Sequence, residues 1–434
     1  MRPAALLLPM LTLSRAFRLP LAALPPRASG SASCLSSSAP ANPYLDASPL
    51  PPFSRLSPSA LSPAMTSALS SLSSSFLSFA SSLPSSPLYD DVLPPLERLR
   101  LPAGRAWSLA GHLNGVRNGP ELRAAYEEAQ PRVVKAFAEL KQSREVYDAM
   151  VKVRERGGLD GPRARALAKG IHAMKLGGVG LDGGEKERFN EIKQRLATLS
   201  TGFSNNVLDV TKAFELVTED GAAMEGAPES ARAMWAAAAG DGASADAGPW
   251  KLTLDGPSYT AAMQHLRSAE LRERLYMKFV TRAAEGSGEN DNVPLISEIL
   301  ELKREAAGML GFGSYAEQSL SSKMAGDIGE VTELSDMIAA KAVPAAKREL
   351  AEIAAFAVAN GGPAELKHWD VAFWSERLKE DRFTLKEEDL RPYFALDSVL
   401  DGMFGLLSRL FGVSVSRAEP GEVDVWHEDV QFFR

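Results

Sequence analysis

Five histidines, His112, His172, His265, His368 and His427, carry most of this sequence's capacity for metal binding or proton transfer near neutral pH. They stand in the settings Gly-His-Leu, Ile-His-Ala, Gln-His-Leu, Lys-His-Trp and Trp-His-Glu, and no two lie one helical turn apart. Zinc hydrolysis from a helix uses H-E-x-x-H, in which two imidazoles face one metal and the Glu activates water. His427-Glu428-Asp429-Val430-Gln431 meets that pattern for two residues and then places Gln where the second imidazole belongs. A carboxamide is a poor zinc ligand, and the upstream Val423, Val425 and Trp426 suggest strand rather than helix. His427 and Glu428 are therefore not expected to hold zinc. The sequence nominates no metal ligand, no catalytic residue and no substrate-binding residue.

Other chemistries fare no better. Cys34 is the single cysteine, so an internal disulfide, a thiolate metal site and a cysteine nucleophile in the body of the chain are all excluded. No G-x-S-x-G elbow presents a serine nucleophile. The glycine-rich stretch from Gly177 to Gly184 lacks the G-x-x-x-x-G-K-[ST] pattern that cradles phosphate. Glu387-Glu388-Asp389 reads as a solvated helix start, favoured there by the helix dipole.

The frame around these residues is that of a globular protein: 434 residues, 45% hydrophobic and 24% charged. The net charge of −7, with no long basic run, argues against a nucleic-acid surface. Residues 1 to 45 differ in kind. Arg2, Arg15, Arg18 and Arg27 carry all the charge there, the first acidic residue is Asp46, and Ala, Leu, Ser and Pro fill most of the rest. That composition reads as an organelle transit peptide, for chloroplast or mitochondrion. The apolar run from Ala4 to Leu24 is broken by Pro9, Arg15, Arg18 and Pro20, so it does not read as a membrane span, although Ala4 to Leu13 could serve a secretory signal. Without the four arginines the remainder holds 44 basic against 55 acidic residues, a net charge near −11.

Periodicity predicts helices for most of the chain from Ser62 on. Met65, Leu69, Leu72, Phe76, Phe79 and Leu83 form one stripe, with Ser62 as cap and Pro63 in the first helical position. Helical spacing continues over 107–130, 133–156 and 161–175. It is clearest from Phe189 to Phe214, where Phe189, Ile192, Leu196, Leu199, Phe203 and Val207 share a face. After an Ala/Gly-rich stretch, Trp250, Leu252 and Leu254 alternate as a short strand, and Pro257 opens a helix through Met263, Leu266, Leu271, Leu275 and Phe279. Asn290 or Asp291 caps a helix stopped by Gly311, and Ser314 with Glu317 forms a capping box. Residues 331–358 form one or two helices bent near Pro344, Asp370 caps another, and Leu400, Phe404, Leu407 and Leu410 mark the last, stopped by Gly412. Val413 to Trp426 reads as two short strands. No repeat of fixed period emerges.

Several stretches share more than a pattern. Leu199-Ser-Thr-Gly-Phe203-Ser-Asn-Asn-Val-Leu-Asp209 with Thr211-Lys-Ala-Phe214, His112-Leu-Asn-Gly-Val-Arg-Asn118 with Glu121 to Tyr126, Asn42-Pro-Tyr-Leu45 to Phe53, and Tyr315 to Ala325 resemble the oligopeptidase A and thimet oligopeptidase family of zinc metallopeptidases. The resemblance runs from Asn42 to Phe433. It implies a mainly α, multi-helix body of the neurolysin-like two-lobed channel type with a few short strands. The implied parts are a leader at 1–45, an N-terminal helical region at 46–220, a short helix and loop at 221–249, a helical channel-wall region at 250–365, and the start of a catalytic domain at 366–434. It further implies zinc as cofactor, short unstructured peptides as substrates, including cleaved targeting peptides, and a monomer. The zinc ligands are not among these 434 residues. The expectation is therefore a chain that ends before the catalytic helix and is inactive alone, its helices from about Asp370 left with bare apolar faces. The rival expectation is a non-catalytic peptide- or protein-binding helical scaffold.

Overall fold

Serine is a mediocre helix former, so the Ser-rich segment after Leu56 needs packing to hold it. The packing is there. The computed structural model describes residues 42–434, and its first long helix, α1 (Pro58–Ser82), buries Leu61, Ala64, Met65, Ala68, Leu69, Leu72 and Phe76 while its serines face outward. Pro58 rather than Pro63 takes the first helical turn, so the helix begins one turn earlier than its capping signals suggest, and Pro63 lies inside it. The leader reading falls outside the described residues except at its end. Asn42–Leu45, assigned by sequence to the leader, belong to the fold: Tyr44 is 1% exposed, and the Asn42 Nδ2 donates to the Ala60 carbonyl at 2.8 Å.

Helices α2 (Tyr89–Val116), α3 (Pro120–Lys141), α4 (Arg144–Arg156) and α5 (Gly161–Leu176) complete the first body with α1. Residues 89–106 of α2 escaped the periodicity because Pro94, Pro95 and Pro102 interrupt it; Asp91 starts the helix by accepting from the Leu88 amide at 2.8 Å. One apolar core runs through these five helices and takes in Tyr44 and Phe53.

Helix α6 (Gly183–Ala213) lies against α3 and α10 (Val293–Met309). Phe189, Ile192 and Leu199 fill a second core with Leu302 and Ala306 of α10, whereas Phe203, also on the expected stripe, is 37% exposed. A third core gathers around the antiparallel pair β1 (Leu216–Thr218) and β2 (Trp250–Leu252), in register Leu216↔Leu252 and Thr218↔Trp250. It includes α7 (Glu229–Ala239), α8 (Gly256–His265) and α9 (Ala269–Val280), with Trp235 fully buried and its Nε1 donating to Ser258 Oγ at 2.9 Å. The single helix expected from Pro257 is thus two, because Ser268 caps a new one by accepting from the Leu271 amide.

The remaining elements are α11 (Tyr315–Leu320), α12 (Ile328–Ala359), α13 (His368–Phe383), α14 (Glu387–Leu390) and α15 (Leu396–Phe411). Ser314 caps α11, with the Glu317 carboxylate closing the box one residue early, onto the Gly313 amide. Pro344 leaves α12 a single helix of 32 residues. Asp370 does not cap α13 from outside; it sits in the third helical position and reaches back to the Lys367 amide at 3.1 Å. The two strands expected between Val413 and Trp426 are absent. Ser416–Ala418 instead pair with Phe432–Arg434 across an isolated bridge, and Val423 and Val425 lie in turn and irregular backbone. Residues 42–434 cohere as one unit that is mainly α, and no described helix is long and apolar enough to cross a membrane.

Candidate functional site

The five histidines lie on different elements, each already engaged with its own neighbours. His112, on α2, sits between Phe53 and Trp426, with ring centroids at 5.6 Å and 4.4 Å. His172, on α5, places Nε2 3.0 Å from Ser321 Oγ. His368 stacks on Tyr276 at 5.9 Å. His265, at the end of α8, has Nδ1 3.2 Å from an Arg377 Nη2. Arginine only donates, so this nitrogen accepts and the ring is neutral. Burial, reinforced by the adjacent guanidinium, holds the imidazole below its ordinary pKa.

His427, the near miss, is exposed in a turn after α15, and its Nδ1 accepts from the Asp429 backbone amide at 3.2 Å. A turn cannot set His427 and residue 431 on one helical face, whatever residue stands there. Among the described residues no three His, Cys, Asp or Glu side chains gather in a way that could hold a metal ion. The donor set therefore does not fit a zinc ion. Cys34 lies outside the described residues.

What the structure does bring together is a cavity of about 760 Å³ between α7, α8, α13 and the segment 386–391. Its charges are mostly paired. Arg377 Nε lies 3.0 Å from Glu380, Glu388 accepts from Ser230 Oγ at 2.8 Å, and Arg391 lies 3.6 Å from Glu388. His265 lines the same cavity. Mixed, mutually satisfied charges suit a polar, uncharged ligand. Sequence reasoning missed this cavity because its walls come from residues more than a hundred positions apart. The acidic run at Glu387, which reads in the sequence as a solvated helix start, lines it instead.

The stretch from Thr201 to Asp209, the most distinctive wording in the sequence, has a structural use. Arg123 on α3 makes a bidentate pair with Asp209 at 2.7 and 2.8 Å and also reaches Asn118. Those hydrogen bonds hold the Asp209 carboxyl below its usual range. Asn205, 9% exposed, donates to Glu127, and Gln130 donates to Thr201. On the other side Asn206 donates to Asn292, which donates in turn to the Phe203 carbonyl. The polar face of α6 is thus pinned to α3 and to the start of α10.

A second junction joins residues far apart in the chain. The Asp424 carboxylate accepts from the Ser54 amide at 3.0 and 3.1 Å and from its hydroxyl at 2.8 Å, while Trp426 packs on Phe53 and His112. The segment carrying the failed zinc motif is therefore held against the start of the fold.

Two family models match the chain. Neurolysin/Thimet oligopeptidase, N-terminal domain, covers residues 65–186, and Peptidase family M3 covers residues 262–434. The chain is 41% identical over 357 residues to the probable cytosolic oligopeptidase A of Arabidopsis thaliana, covering 80% of this chain and 50% of that protein. It is 40% identical over 358 residues to that plant's organellar oligopeptidase A, chloroplastic/mitochondrial, covering 80% of this chain and 45% of that one. With oligopeptidase A of Escherichia coli it shares 35% over 398 residues, 90% of this chain and 58% of that protein. The chain spans about half the length of the curated relatives it matches. Matches of this kind at both ends of a mainly α body place the chain in the M3 peptidase family, with the oligopeptidase A and thimet oligopeptidase proteins.

Proposed function

We propose that these residues form the peptide-holding part of an oligopeptidase A-type zinc endopeptidase and do not by themselves cleave. One observation carries the reading: both family models match, yet none of the 434 residues completes H-E-x-x-H. The helical body would restrict access to short, unfolded peptides, cleaved targeting peptides among them. The cavity beside His265, with its paired charges, would receive peptide backbone. Zinc, as the metal, and the general base would come from residues outside these 434. The monomeric state is part of the same reading. The acid-free, arginine-bearing first 45 residues support an organellar address, and one relative is named chloroplastic/mitochondrial.

The experiment is a comparison of two proteins. The purified chain is assayed for zinc content and for hydrolysis of a short-peptide pool, next to a chimera carrying the C-terminal half of Escherichia coli oligopeptidase A. The expected result is no bound zinc and no cleavage by the chain, with both gained by the chimera. Zinc-dependent cleavage by the chain alone would overturn the reading. A chain that binds the pool while the chimera stays inactive favours the alternative, a non-catalytic binding scaffold. Import of a reporter fused to residues 1–45 by isolated chloroplasts and mitochondria tests the address.

A further inference from the structure

A second cavity, of about 450 Å³, opens where α3, α5 and α6 meet α11. Phe137, Leu176 and Phe189 form apolar walls, Lys141 and Lys193 supply charge, and Gln318 closes one side. The two lysines differ from the arginines on the neighbouring helices. Arg123, Arg188, Arg195 and Arg272 each have a carboxylate partner, whereas neither Lys141 nor Lys193 makes an ion pair or side-chain hydrogen bond among the described residues. Lys193 is held instead over the Phe189 ring, its ammonium 5.0 Å from the centroid.

Like charges neighbour one another here, although Arg100 is paired with Glu97. Lys193 is half-buried and Lys141 is exposed; desolvation first and then a like charge, Lys141 for Lys193 and Arg100 for Lys141, lower the pKa of both ammonium groups. Arg100 itself lies over Phe137, 5.9 Å from the ring centroid. Gln318 is 9% exposed, and its Oε1 has no hydrogen-bond partner among the described residues. A buried carbonyl oxygen left unpaired is costly, and a rotated carboxamide can offer either end to a bound group. Two unpaired cations, an unsatisfied amide and apolar walls together make an incomplete polar site that a ligand would complete.

We propose that this cavity binds an organic carboxylate with a short apolar body, of the kind the last residue of a peptide presents. The carboxylate bridges Lys141 and Lys193, the apolar group lies against Phe137, Leu176 and Phe189, and Gln318 meets a polar group next to the carboxylate. A bare inorganic anion would leave the aromatic walls unused. A phosphate ester is better served by the bidentate fork of arginine than by two point charges. The assignment uses neither zinc nor cleavage and stands independently of the peptidase reading.

The test is binding to the full chain, followed by calorimetry and ligand-observed NMR. The probes are N-acetyl-leucine, N-acetyl-leucinamide, 4-methylpentanoate and inorganic phosphate. N-acetyl-leucine is expected to bind saturably, and its amide at least about tenfold more weakly. Lys141→Gln and Lys193→Gln should each weaken the acid by a similar factor, with binding falling as salt rises. Lys169→Gln, on the exposed side of α5, should leave it unchanged, with circular dichroism as the check that all three variants keep their helices. If 4-methylpentanoate binds as well as N-acetyl-leucine, the source is any small carboxylic acid; if it binds much more weakly, the source is a peptide end. Equal binding of acid and amide, equal binding of phosphate, indifference to both lysine variants, or no saturable binding at millimolar probe would each overturn the proposal.

Discussion

Helix α1 and the later helices α12 and α15 have the same apolar spacing and opposite fates. In α1, every residue of the core stripe from Leu61 to Phe76 is buried, and α2 to α5 close over it. In α12, 32 residues long, only Ala357 is buried, and Leu334, Met337 and Ile338 are 54%, 59% and 57% exposed. Helix α15 buries nothing: Leu396, Val399, Met403, Leu406 and Leu410 recur at three- and four-residue steps and all stay exposed. Its opposite face is only half covered, by Phe433 packing on Phe404 at 5.1 Å. Amphipathic spacing therefore specifies a helix and a face. It does not supply the surface that face meets, and hydrophobic stabilisation follows the area removed from water, not the pattern. Of the helices from Asp370 onward, α13 packs with Phe373 buried, while α15 shows a bare apolar face, as does α12 upstream.

What ties the weakly packed region to the rest is charge. Arg272 on α9 and Asp370 on α13 form an ion pair at 2.7 Å with side chains 3% and 5% exposed. Arg272 also donates to the carbonyls of Leu266, Arg267 and Trp369 and lies over Phe373 at 4.4 Å. Asp370→Ala would leave a buried guanidinium without its counter-ion, at a cost of about 3–5 kcal/mol. Urea unfolding followed by circular dichroism should show that loss. A change below about 1 kcal/mol would mean that α13 is not held through this pair.

A matched pair of truncations sharpens the contrast. Phe189→Ala, at a side chain 1% exposed in the α6–α10 core, should cost about 3–5 kcal/mol. Leu410→Ala, at 64% exposure on α15, should stay within about 0.5 kcal/mol. The midpoint of denaturant unfolding reads both. Equal losses would show that α15 is covered in solution, by a second molecule or otherwise. Asp424→Ala comes next. It removes three hydrogen bonds to Ser54 and should cost about 1 kcal/mol or slightly more. The specific readout is faster amide exchange confined to residues near 424–426 and 53–54. Uniform protection would deny the junction.

Much of this was legible in the sequence, and the limits have physical causes. The α6 stripe, the α5 boundaries, the Ser314 cap and the Gly412 stop are local properties, set by spacing, side-chain hydrogen bonds and positive φ at glycine (+68° at Gly412). The prolines of α2 hid a helix whose interior packing outweighs the hydrogen bonds they forgo. Val423 and Val425 looked like strand because alternation alone cannot show whether a partner strand exists. The cavity at His265 and the cationic cavity at Lys193 were not legible, since each is assembled from three or four separate elements.

The smallest effect expected concerns the side of the comparison where α8 meets α13. His265 is neutral against Arg377, and its pKa in the folded state lies below the ordinary value of about 6.5. Between those two values the unfolded chain binds a proton that the folded chain refuses, so stability rises with pH across that window and falls as pH drops through it. The loss is complete once pH passes below the folded value. Because the depression arises first from burial and then from Arg377, His265→Gln should flatten the dependence, while Arg377→Gln should narrow its window without removing it. Thermal melts of the wild-type chain and both variants between about pH 5 and 8 measure the slope, over the range in which histidine alone among ordinary side chains titrates. A slope that survives His265→Gln would assign it to another histidine and leave the α8–α13 contact, with the cavity beside it, insensitive to acid.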